Sequence, residues 1–221
     1  MIDWDRINTV LLDMDGTLLD LYFDNYFWQE YLPVQWGKHN GFDEAAAKEK
    51  LLPEFKSREG TLNWYCLDFW SSNLQLDVME LKAGVEHLIK LRPSALHLLE
   101  VLVKMEKKPV MVTNAHPSLI DMKMQKTGID VYFQQIINSH SIGAAKEETR
   151  FWSSLQNIIK FDPAHTLLID DNLAVLRTAR DCGIAHLYSI ARPDSSQPVK
   201  DGEEFTAIED FRDILPLMVG N

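Results

Sequence analysis

The 221-residue sequence holds only two cysteines, Cys66 and Cys182. They are too few and too scattered for a disulfide framework or a zinc site. No apolar run approaches the ~20 residues that span a bilayer, so no membrane partner is expected. The opening Met1-Ile2-Asp3-Trp4-Asp5-Arg6 is acidic and lacks the apolar segment of a signal peptide. These absences together predict a reducing, cytoplasmic setting. Positive charge is also scarce: 22 Lys and Arg face 33 Asp and Glu, a net charge of −11. A surface of that sign repels nucleic-acid backbones, so no nucleic-acid partner is expected. A small anionic substrate then requires local cations or a metal ion. Internal repeats, low-complexity tracts and long linkers are missing as well.

Hydrophobic residues make up 46% of the chain and charged residues 25%, the balance of an ordinary globular protein. The length suits one α/β domain, or such a core with a small inserted domain. Four short, continuous apolar runs predict buried parallel strands: Thr9–Leu12, Pro109–Val112, Thr166–Ile169 and Ala185–Ile190. Gln134–Asn138 is a weaker fifth. Helical patterns alternate with them. Pro93–Lys107 carries Leu96, Leu99 and Val103 on one face, Pro117–Thr127 stops at Gly128, Glu147–Lys160 runs from acids to a lysine, and Asn172–Cys182 stops at Gly183. The alternation predicts an α/β fold, a doubly wound parallel Rossmann-like sheet with right-handed crossovers. Residues 21 to 91 break the rhythm. They show no convincing strand and are rich in aromatics, which predicts a helical insertion after the first strand. Gly37, Gly41 and Gly60 are expected at its turns, and Pro53 is expected to end or kink a helix. The expected organisation is therefore a core of residues 1–20 and 92–221 with an inserted helical domain of residues 21–91. Residues 192–203 read as a surface loop.

In an open α/β sheet, ligands bind beyond the carboxyl ends of the strands. The first strand ends in Asp13-Met14-Asp15-Gly16-Thr17, the second in Thr113-Asn114 and the fourth in Asp170-Asp171; Lys146 follows the loop after the weak third strand. Taken singly, each has a bland reading. An Asp after a strand is commonly a turn or capping residue, Asp-Gly is a common turn, Thr113-Asn114 suits a helix cap, and a lone lysine is a solvated charge. Together they place carboxylates, a hydroxyl and an ammonium at one sheet edge. Clustered carboxylates do not all ionise without a cation, and an all-oxygen set suits Mg²⁺. Asp13 is then placed to attack phosphorus as a carboxylate nucleophile. Lys146 and Thr113 are placed to hold the phosphoryl oxygens.

These motifs resemble those of the haloacid dehalogenase superfamily. Asp13-Met14-Asp15-Gly16-Thr17-Leu18-Leu19-Asp20 matches its first motif, Thr113 the second, Lys146 the third and Asp170-Asp171 the fourth, in family order. The inserted helices resemble the family's C1-type cap. The resemblance implies a Mg²⁺-dependent phosphate-monoester hydrolase working through an aspartyl-phosphate. Asp13 would be the nucleophile, Asp15 the acid and base, and the metal would be held by Asp13, Asp15 (through its backbone carbonyl more than its side chain), Asp170 and Asp171. By the same resemblance Asp171 aligns with the usual fourth-motif ligand, and Asp170 would contact the ion directly or through water. Two positions depart from the family pattern. Val175 and Leu176 stand where many members carry a further acid, and Ala145 where close relatives often carry proline.

Three longer stretches narrow the resemblance to bacterial nucleotidases acting on GMP and IMP: Asp20–Trp28, Thr61–Trp70 and Thr113–Pro117. They imply a small phosphorylated substrate, a purine nucleoside monophosphate. Thr113, Asn114 and Lys146 are expected at its phosphate, and Asn25, Asn63 and Tyr22 at the remainder. Asp68 and Tyr65 are further candidates, as is His116, whose other reading is simply the residue before a helix. Most of Phe27, Trp28, Phe69 and Trp70 are expected to pack the insertion. Three alternatives stay open. A sugar-phosphate phosphatase or phosphomutase would share the core. A dehalogenase would not need the acid at Asp15. A binding protein retaining the fold would have lost a motif residue, and none is missing.

Overall fold

The computed structural model describes residues 2–107 and 109–216; residues 1, 108 and 217–221, including the outer ends of the expected core, lie outside them. Six strands form one parallel sheet: β1 (Thr9–Leu12), β2 (Val110–Thr113), β3 (Gln135–Asn138), β4 (Thr166–Ile169), β5 (His186–Ile190) and β6 (Thr206–Ile208), in the order β3-β2-β1-β4-β5-β6. The five expected strands are present within one residue of their expected starts and ends. β6, parallel to β5 at the sheet edge, was not expected. Its Thr206-Ala207-Ile208 follows Asp201-Gly202-Glu203-Glu204 and is too short to show periodicity.

Strand side chains alternate between two packed faces. Val10, Leu12, Met111, Leu167 and Ile169 join one buried cluster, and Leu11, Val110, Val112 and Leu168 the other. Helices α7 (Ala95–Lys104) and α8 (Pro117–Thr127) cover the first face; α10 (Thr149–Ile159) and α11 (Leu173–Asp181) cover the second. α7 buries Leu98, Leu99 and Leu102, whereas Leu96 and Val103 of the expected apolar face are exposed. α8 runs as expected and ends on Gly128 in the left-handed conformation. The Asn172 side chain caps α11 through the Ala174 N–H. The short α9 (Ser139–Ile142) follows β3.

Between β1 and β2 stand α1 (Tyr22–Tyr26), a π turn (Phe27–Tyr31), α2 (Leu32–Asn40), α3 (Glu44–Arg58), α4 (Leu62–Tyr65), α5 (Leu67–Leu74) and α6 (Val78–Ala83). Trp28, Phe55, Trp64 and Trp70 pack ring against ring with centroids 5.0 to 6.1 Å apart. Such pairs contribute about 0.5–1.5 kcal/mol each beyond their burial. Phe23, Phe27, Leu51, Phe55, Leu67 and Trp70 extend the same buried cluster that α7 and α8 form with the sheet. Gly41 and Gly60 do make turns with positive φ. Gly37 does not. It lies buried inside α2, where a Cβ would meet the Phe42 carbonyl at 2.9 Å, so it is a close-packing glycine. Pro53 sits within the 15-residue α3.

Candidate active site

β1 delivers Asp13 to the sheet's carboxyl edge, and β4 delivers Asp170 and Asp171 beside it. One oxygen from each of the three lies within 4.8 Å of the others. Gly16 makes this approach feasible: its φ is +82°, and a Cβ there would sit 2.5 Å from the Asp171 carboxylate. Any side chain at residue 16 would displace that acid. Lys146, on the loop after α9, reaches under the cluster. Its Nζ donates to Asp13 Oδ1 at 2.5 Å, to Asp170 Oδ2 at 2.6 Å and to the Val112 carbonyl at 3.2 Å. All three side chains are buried.

Burial pushes the Asp13 carboxyl up to about 6. Lys146 opposes that shift and Asp170 adds to it. Asp171 is pushed well above the ordinary range by burial and by the charges of Asp13 and Asp170. One cation beneath three carboxylates leaves them short of positive charge. Lys146 itself stays protonated, because Asp13 and Asp170 outweigh the cost of burying it. Asp13 Oδ2 is buried without a partner. An orphaned oxygen within an all-carboxylate set fits a hard divalent cation.

The other expected residues are dispersed around this cluster. Thr113 is buried at the end of β2, where its Oγ1 accepts from the Ala115 N–H at 3.1 Å. Asn114 braces the lysine loop: its Oδ1 accepts from Lys146 N–H at 2.9 Å and its Nδ2 donates to Glu147 at 2.9 Å. The Asp15 side chain stands outside the group of three and instead accepts from Lys123 Nζ at 2.6 Å. Burial raises it to about 6 against the pull of Lys123.

A cavity of about 470 Å³ opens above these groups, lined by Asp13, Asp15, Asn25, Trp28, Trp64 and Tyr65 among others. Asn25 is on its wall and donates to Asp194 at 2.7 Å. Asn63 and Tyr22 are not on that wall. Asn63 takes the exposed side of α4 while its neighbours Trp64 and Tyr65 turn inward, and Tyr22 stacks on Tyr26 with centroids 5.9 Å apart. Asp68 is exposed and faces His116 from outside the cavity.

Sequence reasoning missed two features. Glu147, read only as a helix start, accepts from Tyr65 Oη at 2.6 Å, Asn114 at 2.9 Å and Asn172 at 3.1 Å. It thereby ties the insertion to the loops after β2 and β4. The second is a buried charge network. Asp24 on α1 pairs with Lys82 of α6 at 2.8 Å and Lys123 of α8 at 2.7 Å, and Lys123 continues to Asp15. A signal for it existed. Lys123 falls at helical spacing between the buried Leu119, Ile120 and Met124, and a lysine within an apolar stripe is rarely free.

The model of the haloacid dehalogenase-like hydrolases matches residues 7–183. The chain is 37% identical over 218 residues to the GMP/IMP nucleotidase YrfG of Escherichia coli (strain K12), covering 99% of this chain and 98% of that one. A protein of that name from Shigella flexneri matches equally. Among solved structures, a HAD phosphatase from Thermococcus onnurineus superposes with a TM-score of 0.77 at 22% identity, covering 94% and 96% of the two chains. The L-2-haloacid dehalogenase of Xanthobacter autotrophicus superposes with 0.57 at 18% identity, over 86% and 80%. At such identities these two structures attest the shared fold alone.

Proposed function

The chain belongs to the haloacid dehalogenase-like hydrolase family, and from that membership we propose that it hydrolyses purine nucleoside 5′-monophosphates, GMP and IMP foremost, with Mg²⁺. The observation that carries the hydrolytic reading is the meeting of Asp13, Asp170 and Asp171 over Lys146 at the cavity floor. Asp13, Asp170 and Asp171 are the side chains that would hold the ion; it would neutralise the carboxylates and polarise the phosphoryl oxygens.

An Asp13 oxygen attacks phosphorus and forms an acyl phosphate while the bond to the 5′-oxygen breaks. Asp15 gives that oxygen its proton, so the nucleoside leaves neutral. A water molecule then attacks the acyl phosphate, Asp15 takes the water's proton, and phosphate and free Asp13 result. An acid near 6 serves both directions of proton transfer at neutral pH. Lys146 remains charged throughout and offsets the anionic phosphoryl group.

The purine preference rests on the full-length similarity to the nucleotidases and on the cavity wall. Trp28, Trp64 and Tyr65 offer flat apolar faces, and Asn25 and Asn114 offer amides. The helical insertion supplies Asn25, Trp28, Trp64 and Tyr65, which makes residues 21–91 the specificity-bearing unit and the remainder the chemical one. The test is phosphate release from a panel with Mg²⁺ present. GMP and IMP are expected to give the highest kcat/KM. A hexose or triose phosphate turned over tenfold better would replace the nucleotide by a sugar phosphate and leave the chemistry standing.

A further inference from the structure

At the cavity's margin, where His116 is part of the wall, and outside the carboxylate cluster, three residues from three segments converge. Cys66 caps the start of α5 in the insertion, its Sγ accepting from the Phe69 N–H at 3.4 Å, His116 precedes α8 after β2, and His140 lies in α9 after β3. Their ligating atoms lie within 4.8 Å of one another. The two imidazoles meet edge to face with centroids 5.0 Å apart. Each ring has one nitrogen turned to a neighbour: His116 Nε2 faces Asp68 Oδ2 at 3.5 Å, and His140 Nδ1 faces Ser139 Oγ at 3.4 Å. Each has its other nitrogen, His116 Nδ1 and His140 Nε2, buried with no partner. A buried imidazole nitrogen without a partner is unfavourable, and here two belong to a cluster that also holds a thiol. The pattern matches metal-binding histidines, whose outer nitrogen is oriented by a carboxylate or hydroxyl while the inner one ligates.

We propose that Cys66, His116 and His140 form a three-ligand site for a borderline-soft divalent ion of the Zn²⁺ class, bridging the inserted helices and the core. A thiolate with two imidazoles selects such ions over Mg²⁺, which prefers oxygen. Around tetrahedral zinc, sulfur and nitrogen ligands stand roughly 3.3–3.6 Å apart, so atoms already within 4.8 Å of one another need only a small closure. The thiol gives up its proton to solvent on binding, and a water completes the fourth position. Counting cysteines does not reveal this site, because its ligands lie some 25 to 75 residues apart along the chain.

The experiment uses the full chain, stripped of metal by chelation and then saturated with Mg²⁺ to fill the carboxylate cluster. Titration with Co²⁺ is expected to give a thiolate-to-cobalt charge-transfer band, and titration with Zn²⁺ is expected to show one tight equivalent. Cys66→Ser is expected to lose the band, and both Cys66→Ser and His140→Gln to weaken Zn²⁺ binding by about 100-fold. Wild-type protein without the band overturns the proposal, and that spectrum decides whether or not the variants fold. An affinity in either folded variant within tenfold of wild type overturns it too.

Discussion

In the proposed reaction Asp13 carries two duties that an amide performs poorly, attack on phosphorus and metal ligation. Asp13→Asn is therefore expected to lower kcat at least 1,000-fold, on the order of 4 kcal/mol of barrier, with an unchanged circular dichroism spectrum. Activity within tenfold of wild type would remove Asp13 from the nucleophile's role. Asp15 offers a finer test, because leaving groups differ in their need for a proton. Asp15→Asn is expected to cost roughly 100-fold or more on GMP and distinctly less on p-nitrophenyl phosphate, whose phenolate leaves unprotonated. Lys123→Met, which removes the ammonium holding Asp15 at 2.6 Å, is expected to show the same split at smaller size. Equal losses on both substrates would mean that Asp15 is not the acid. At this scale the core motifs were legible in the sequence because Asp13, Asp15, Thr113, Asp170 and Asp171 end or closely follow strands, while Lys146, beyond α9, was legible only from its place in the order of motifs. Asn63 and Tyr22 were not, since which side of a short helix faces a cavity depends on packing that an element of four or five residues does not encode. Asp24 shows the converse: its place between Phe23 and Phe27 reads as ordinary helix surface until Lys82 and Lys123 arrive from distant segments.

Three helices meet at that carboxylate: α1 and α6 of the insertion and α8 of the core. Burial alone would raise Asp24, but Lys123 and Lys82 outweigh it and hold the group down to about 2. A depressed carboxyl adds stability in full above its ordinary value of 3.8, and that share is lost as pH falls from about 4 to about 2. The share is on the order of 2 kcal/mol. Asp13 and Asp15, both raised, act with the opposite sign between about pH 6 and 4, so the informative quantity is a difference. Urea unfolding is expected to find Asp24→Asn about 2 kcal/mol less stable than wild type at pH 6, with the gap nearly closed at pH 2. A gap independent of pH would show that the pair is not ionised in the native state. Elements with long periodic patterns, such as α8, were readable to the residue. β6 was not, because three residues at a sheet edge carry no period and owe their conformation to pairing with β5.

At the scale of the molecule, 33 acidic residues face 22 basic ones, and Asp13, Asp170 and Asp171 share the single ammonium of Lys146, which bonds two of them. Treatment with EDTA is accordingly expected to remove hydrolysis, and added Mg²⁺ to restore it. Full turnover by protein shown metal-free by elemental analysis would refute the metal requirement. The sheet order carries a further consequence, one of time. β1 is the first of the six strands along the chain, yet it is the third across the sheet. Its partners emerge late: Leu11 pairs with Val110 on one side and Leu168 on the other, roughly 100 and 160 residues downstream. At typical synthesis speeds of ~5–20 residues per second, the strand waits roughly 10 to 30 s before it is flanked on both sides. Throughout that interval Val10, Leu11 and Leu12, fully enclosed in the finished protein, remain available to chaperones or to other nascent chains. The carboxylates of Asp13 and Asp171 meet only after the roughly 160 residues between them have been made, so no nascent fragment that stops before Asp171 contains the carboxylate cluster.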